Sequence, residues 1–393
     1  MKRKIIFALA LAVLIGACTN KTTQKDDMKT IDEKIAKATP NDMFLLVGTY
    51  TSDEGSKGIY VYKFNTETGM ADSLSMAEVT NPSYLVVSGD EKFVYSVGEN
   101  GDGNSAAHAF AFDKKEGALQ LLNSSSTESS GPCYIEIDKA GKSVLTANYG
   151  GGSISSFQVN DDGTLSPANL VLNFEGSGSD TTRQKSPHLH SVRFSPDERF
   201  LFATDLGTDK IYRYNAIGSV FEGQPALSEA SLKEFSTPAG AGPRHFDFHP
   251  NGKYFYVLGE LSGDVIVYDY DEGDLKEKQV IATDSVEGSR GSADIHVSPD
   301  GKFLYASNRI KEDGVAIFSI NQDDGTLTKI GYQPTGKHPR NFVITPNGNL
   351  LLVASRDNNV IQVFKIDSQS GLLSDTYQDI HISKPVCLKF ASM

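Results

Sequence analysis

The sequence has no tryptophan, only three cysteines in 393 residues, and no long run of lysine or arginine. Without tryptophan, the signature of WD40 repeats is absent. Three cysteines cannot build a disulfide framework or a cysteine-based zinc site. The formal net charge is −13, so the basic stripe of a phosphate-backbone binder is missing and nucleic acid is not an expected partner. Apolar residues make 39% of the chain and charged residues 22%, a balance that excludes global disorder. What the chain has in quantity is 36 glycines and 37 Phe plus Tyr residues, the composition of turns and aromatic strands.

The N-terminus reads as an address. Lys2, Arg3 and Lys4 precede an apolar run, Ile5 to Ile15, of eleven residues. A bilayer span takes about 20, so the run has the size of a signal-peptide core. It ends in Ile15-Gly16-Ala17-Cys18, which resembles the bacterial lipobox. Residues 1–18 are therefore expected to be a lipoprotein-type signal with Cys18 as the lipidated residue. Residues 19–41 are expected to be a polar tether, and residues 42–393 the folded domain. This places the protein in a bacterial envelope, periplasmic or on the outer surface, touching membrane only through its lipid. Cys133 and Cys387 sit in apolar strand patterns and are expected to be buried as small hydrophobes.

An internal repeat organises the rest. Phe194-Ser-Pro-Asp-Glu-Arg-Phe-Leu-Phe-Ala-Thr-Asp205 recurs from Phe248, Val297 and Ile344, with weaker copies near Ser88 and Asp138. Pro presets the first turn residue, Asn or Asp bonds nearby backbone, and Gly tolerates positive φ. A third alternating strand and a more polar fourth follow each turn. Marking first-strand starts at Pro82, Pro132, Pro187, Pro243, Ser292, Pro339 and Pro385 gives spacings of 50, 55, 56, 49, 47 and 46. Seven units of this length predict an all-β, seven-bladed β-propeller with four antiparallel strands per blade. Residues 44–80 lack a first strand, and Pro385–Phe390 is a first strand with nothing after it. The C-terminal strand is thus expected to close the ring on the N-terminal blade.

That topology puts first-strand starts and second-strand ends on one face, with the Pro-Asp-Gly turns on the other. The first face is polar. It holds His188, His190, Arg244, His245, Asp294, Arg340 and Asn341 at strand starts, and Glu99, Asn148, Tyr149, Asp205, Glu260, Arg309 and Arg356 at strand ends. His249 falls on the opposite face and is left out. Arginine forks suit anions, and histidine exchanges protons near neutral pH. A solvated mouth with no ligand would show the same composition. His188-x-His190 lacks a third ligand, so no metal is expected. Residues 174–186 form the longest connection, on the same face. They could be a lid carrying Arg183 and Lys185, or a loop with no role.

Arg183-Gln-x-x-Pro187-His-x-His190-Ser, Gly242-Pro-Arg-His245, Tyr256-Val-x-x-Glu260-Leu, Ala293-Asp-Ile-His296-x-Ser-Pro-Asp-Gly and Ser307-Asn-Arg309 resemble the lactonase family of seven-bladed propellers. That family includes the propeller type of 6-phosphogluconolactonase and carboxy-muconate cyclase. The resemblance spans about residues 42–391. It implies lactone ester chemistry with no cofactor, and catalytic roles at His190, Arg244, Glu260 and Arg309. His188, His245, Asp294, Arg340, Tyr149 and Arg183 are expected to contact an anionic small-molecule lactone. No Gly-x-Ser-x-Gly elbow is present, so a covalent serine route has no support. A cycloisomerase using the same residues, and a non-catalytic envelope propeller binding an anionic glycan or protein, stay open as alternatives. The leader and a cytosolic sugar-phosphate substrate do not fit together.

Overall fold

The computed structural model describes residues 39–101, 103–217, 225–286 and 291–393. Cys18, the leader and most of the expected tether lie outside the described residues.

The repeated turns fold as their chemistry predicts. In the turn after the first strand of four blades, a hydroxyl donates to an acid or amide two residues on: Ser88 to Asp90, Ser195 to Asp197, Ser298 to Asp300, Thr345 to Asn347. The following position is left-handed, with φ of 72° at Gly301 and 73° at Gly348. Glu91 and Glu198 take the same conformation without being glycine, at φ 54° and 55°. The turn geometry therefore holds where the sequence repeat is weak.

Each turn starts a four-stranded antiparallel meander, and seven such sheets make the domain. Their first strands are Leu85–Val87, Pro132–Ile137, Leu189–Phe194, Pro243–Phe248, Ile295–Val297, Pro339–Ile344 and Pro385–Ser392. These define blades 1 to 7 in chain order. Blade 6 carries one extra short strand, Ile380–His381, beside its third. Blade 7 joins the chain ends: Pro385–Ser392 pairs antiparallel with Asp42–Thr49, and Gly58–Asn65 and Ala71–Glu78 follow outward. No open edge is left in the ring. Three first strands begin after their sequence marks: Leu85 against Pro82, Leu189 against Pro187 and Ile295 against Ser292. Leu189, opposite Asp205, corresponds to Pro132 opposite Asn148, so blade 3 starts two residues after Pro187.

Apolar faces of neighbouring blades pack together. Phe246 of blade 4 lies 4.7 Å, centroid to centroid, from Phe255, which also meets Phe202 of blade 3 at 5.4 Å. Phe44 of blade 7 meets Phe112 of blade 1 edge to face at 5.1 Å. A recurring latch adds direction: Tyr95, Tyr256 and Tyr305 each donate to a glycine carbonyl of the next blade, at Gly163, Gly325 and Gly371. A Cβ on Gly163 would fall 2.1 Å from the Phe93 ring, so only glycine admits the approach.

Candidate active site

The ladder between first and second strands slips at the second residue of five blades. The shifts fall between Pro132 and Tyr134, Leu189 and Ser191, Pro243 and His245, Pro339 and Asn341, and opposite Gly48–Thr49 in blade 7. A bulge frees one residue from the ladder and re-aims its side chain. The residues freed in blades 2, 3, 4 and 6 are Cys133, His190, Arg244 and Arg340. Cys133, His190 and Arg340 line a cavity of about 200 Å³ at the channel mouth, with Tyr50, Glu99, Tyr149, Arg183, Glu260 and Arg309. Arg244 lies just below and reaches the same group through Glu260.

Glu260 is the centre of the arrangement. Its Oε1 accepts from Arg183 Nη2 at 2.7 Å. Its Oε2 accepts from Arg244 Nε and Arg309 Nη2, both at 3.0 Å. Burial alone would raise this carboxyl, but Arg309, Arg244 and Arg183 override it and hold it at about 2. Arg244 also donates to the Ala293 carbonyl, and Arg309 to the Gly291 carbonyl. Burial pulls Arg309 down, and with Arg244 and Arg340 nearby it sits at about 9, still charged at neutral pH. Arg183, Arg244, Arg309 and Arg340 face two carboxylates, Glu99 and Glu260. The cavity wall itself carries three arginines against these two carboxylates, a surplus of one positive charge in a chain of net charge −13. Such a cavity favours an anion.

His190 is buried beside this cluster. Its Nε2 lies 4.0 Å from Glu260 Oε2, and its Nδ1 is 3.5 Å from Cys133 Sγ. Burial first, then Arg244, His245 and Arg340, push its pKa well below the usual histidine value. The imidazole is therefore neutral at physiological pH and has a lone pair to accept a proton. Tyr149 packs its edge against the ring at 5.3 Å, and its hydroxyl accepts from Arg183 Nη2 at 3.3 Å. Burial raises the Cys133 thiol far above its usual range, so it stays protonated.

His245 and Asp294 lie beneath the cavity rather than on its wall. His245 Nε2 is 3.2 Å from Arg244 Nη1. A guanidinium has no lone pair, so this nitrogen accepts and Nδ1 carries the proton. Nδ1 then donates to Asp294 Oδ1 at 2.8 Å. Burial, with Arg244 beside it, lowers His245 to about 3, so it is neutral. Asp294 also accepts from Asn341 Nδ2 and from the Phe342 and Ile295 amides. This Asp–His pair buttresses Arg244 from below. His188 is also a support: its ring stacks on Tyr149 at 4.4 Å and its Nδ1 meets the Tyr149 carbonyl at 2.9 Å.

Other members of the polar ring tie neighbouring strands and loops together. Asn148 donates to Ser153 and Ser155, and Asp205 accepts from the His188 and Gly207 amides. Arg356 pairs with Asp357 in a short 3-10 turn. His249 bonds the Gly301 carbonyl in the turns of the opposite face, as expected. The 174–186 connection is pinned, not loose: Gln184 donates to Leu206 O and Asp209, and accepts from the Asp180 amide. It delivers Arg183 to Glu260, while Lys185 is exposed. Tyr50 and Cys133 are cavity residues that the sequence reading did not name for the site. Tyr50 follows the end of a second strand, so the rule that found Glu99 and Glu260 reaches it too.

Comparison with known proteins gives the family and the fold. The sequence profile of the family described as "Lactonase, 7-bladed beta-propeller" matches residues 44–390. A 6-phosphogluconolactonase of Formosa agariphila is 40% identical over 344 residues, covering 86% of this chain and 97% of that protein. A crystal structure from Bacteroides fragilis, of a proposed 6-phosphogluconolactonase, superimposes with a TM-score of 0.87 at 51% identity, covering 91% of this chain and 99% of that one. The periplasmic gluconolactonase of Pseudomonas aeruginosa gives a TM-score of 0.82 at 33% identity, covering 89% and 99%.

Proposed function

The chain belongs to the lactonase family of seven-bladed β-propellers, and from that premise we propose that it hydrolyses the ring ester of an anionic sugar lactone outside the cytoplasm. One observation carries the reading: a neutral, buried histidine shares a single cavity with an arginine cluster of surplus positive charge.

The chemistry follows from the groups present. His190 accepts a proton from water as the water oxygen attacks the lactone carbonyl, and the protonated ring then delivers it to the leaving ring oxygen. Negative charge develops on the carbonyl oxygen, and Arg309 on the cavity wall is the preorganised donor for it, with Arg244 adding positive charge from behind Glu260. A carboxyl held at about 2 carries no proton near neutral pH. Glu260 therefore serves as the anchor that keeps three guanidinium groups at one point, rather than as an acid or base. Asp294 and His245 act on the reaction through Arg244. The reaction calls on no cofactor.

The leader supports an envelope location, with Cys18 as the lipid attachment. The likeness to a periplasmic gluconolactonase is consistent with this. In an envelope enzyme the lactone would be one met outside the cytoplasm.

The test is hydrolysis of 6-phosphogluconolactone, gluconolactone and a uronic lactone by the chain from residue 19, against an enzyme-free blank because lactones open spontaneously. Removing a positioned general base costs about 10²–10⁴ in rate. His190→Ala is expected to lose that much. A loss under about tenfold rules out His190 as the base, and no acceleration of any lactone overturns the reading.

A further inference from the structure

Three of the four guanidinium groups at the site are already engaged. Arg183, Arg244 and Arg309 all bond to Glu260, and the last two also hold backbone carbonyls. Arg340 differs. Its nearest anion is Glu99 Oε2 at 3.7 Å, beyond hydrogen-bond reach. That oxygen is already taken by the Tyr50 hydroxyl at 2.8 Å. The Arg340 guanidinium lies over the Tyr50 ring, 5.3 Å from its centroid, with its side chain only 15% exposed. Its nitrogens are not among the sealed, unpartnered atoms, so its N–H groups open into the cavity they line.

Donors that open into a cavity and are left free by the protein are available to water or to a ligand. Here Tyr50 and Glu99 orient Arg340 without saturating it, which leaves its planar fork pointing at the ligand space. Resting on the lactone-hydrolase reading, we infer that Arg340, positioned by Tyr50 and Glu99, is the receptor for the acidic substituent of the lactone. Arg309 is left to act at the ester, with Arg244 behind it. The two roles fall on separate arginines because Glu260 ties one group down and leaves the other alone. A phosphate monoester and a carboxylate both fit a guanidinium fork, and the three lactones of the test separate them.

The experiment compares kcat/KM of wild type, Arg340→Met and Arg340→Lys on 6-phosphogluconolactone, a uronic lactone and gluconolactone. Loss of a charge-assisted pair is worth about 10- to 100-fold. The phosphorylated-to-neutral ratio is expected to fall by that factor in Arg340→Met, mostly through KM. Arg340→Lys keeps the charge without the fork and should recover part of the ratio. If the methionine variant does not fold, the lysine variant alone carries the test, with a smaller fall. A ratio changed by less than about threefold, or an equal fall on all three lactones, overturns the assignment. A wild type favouring the uronic lactone would keep the receptor and replace phosphate by carboxylate. If no lactone is turned over, the lactonase reading fails but the receptor is still tested, by calorimetric titration with 6-phosphogluconate and gluconate. A preference for the phosphorylated acid that Arg340→Met abolishes supports it, and absence of any preference in wild type refutes it.

Discussion

Replacing Glu260 by glutamine removes the carboxylate on which three guanidinium groups converge. The amide keeps the shape. If its oxygen takes the Oε2 position, the bonds from Arg244 and Arg309 survive, while Arg183 meets an NH₂ group that cannot accept. What is lost is the charge. Burial and the arginines together hold this carboxyl at about 2 instead of its usual 4.5. That difference is worth about 3 kcal/mol of stability at neutral pH. Because the folded value is depressed, the contribution is full above 4.5 and fades as pH falls toward 2. Urea unfolding should therefore show Glu260→Gln less stable than wild type by about 3 kcal/mol at pH 7. The gap should shrink to about half or less at pH 3. A second readout comes from Arg309, whose charge Glu260 supports. The alkaline fall in lactonase rate should move to lower pH in the variant. A variant as stable as wild type at pH 7, or a stability gap that keeps its size at pH 3, would refute the anchoring role.

The pH–rate profile of wild type should stay level from pH 8 down past 6.5, where an ordinary histidine base would already be half protonated, because His190 titrates well below that value; a midpoint near 6.5 in kcat/KM would contradict it. On the alkaline side the rate should fall above about 9 as Arg309 loses its proton. Asp294→Asn should destabilise the fold by about 3 kcal/mol and lower kcat more than it raises KM, since it loosens Arg244 and not the ligand wall. Wild-type kcat in that variant would show that the Asp294–His245 pair does not position Arg244. A chain ending at Lys384 lacks the first strand of blade 7 and leaves Asp42–Thr49 as an open edge. It should lose its cooperative melt by circular dichroism, and an unchanged melt would show that closure is dispensable.

Much of this was legible because a propeller repeats its instructions. Four clear Pro-Asp/Asn-Gly or related turns set the blade length, and the unequal chain ends showed how the ring closes. Topology then placed His190, Arg244, Glu260, Arg309 and Arg340 on one face without any contact being known. Three things were hidden. Bulges leave no trace in apolar alternation, so Cys133 read as a plain strand residue although its bulge turns it into the cavity. The division between wall and support was hidden too. His188, His245 and Asp294 share the ring with His190 and Arg244, and only their hydrogen-bond partners show that they hold others in place. Asn148 holds strand-end hydroxyls and Asp205 holds backbone amides, tasks that need the same polar residue types as ligand binding.

The chain enters the ring at Asp42, where a second strand begins, and that strand runs toward the cavity and ends just before Tyr50. The entry point is therefore on the back of the disc, where Asn347 of a repeated turn donates to Thr66. Any attachment made upstream of Asp42 thus starts on the face opposite the cavity mouth.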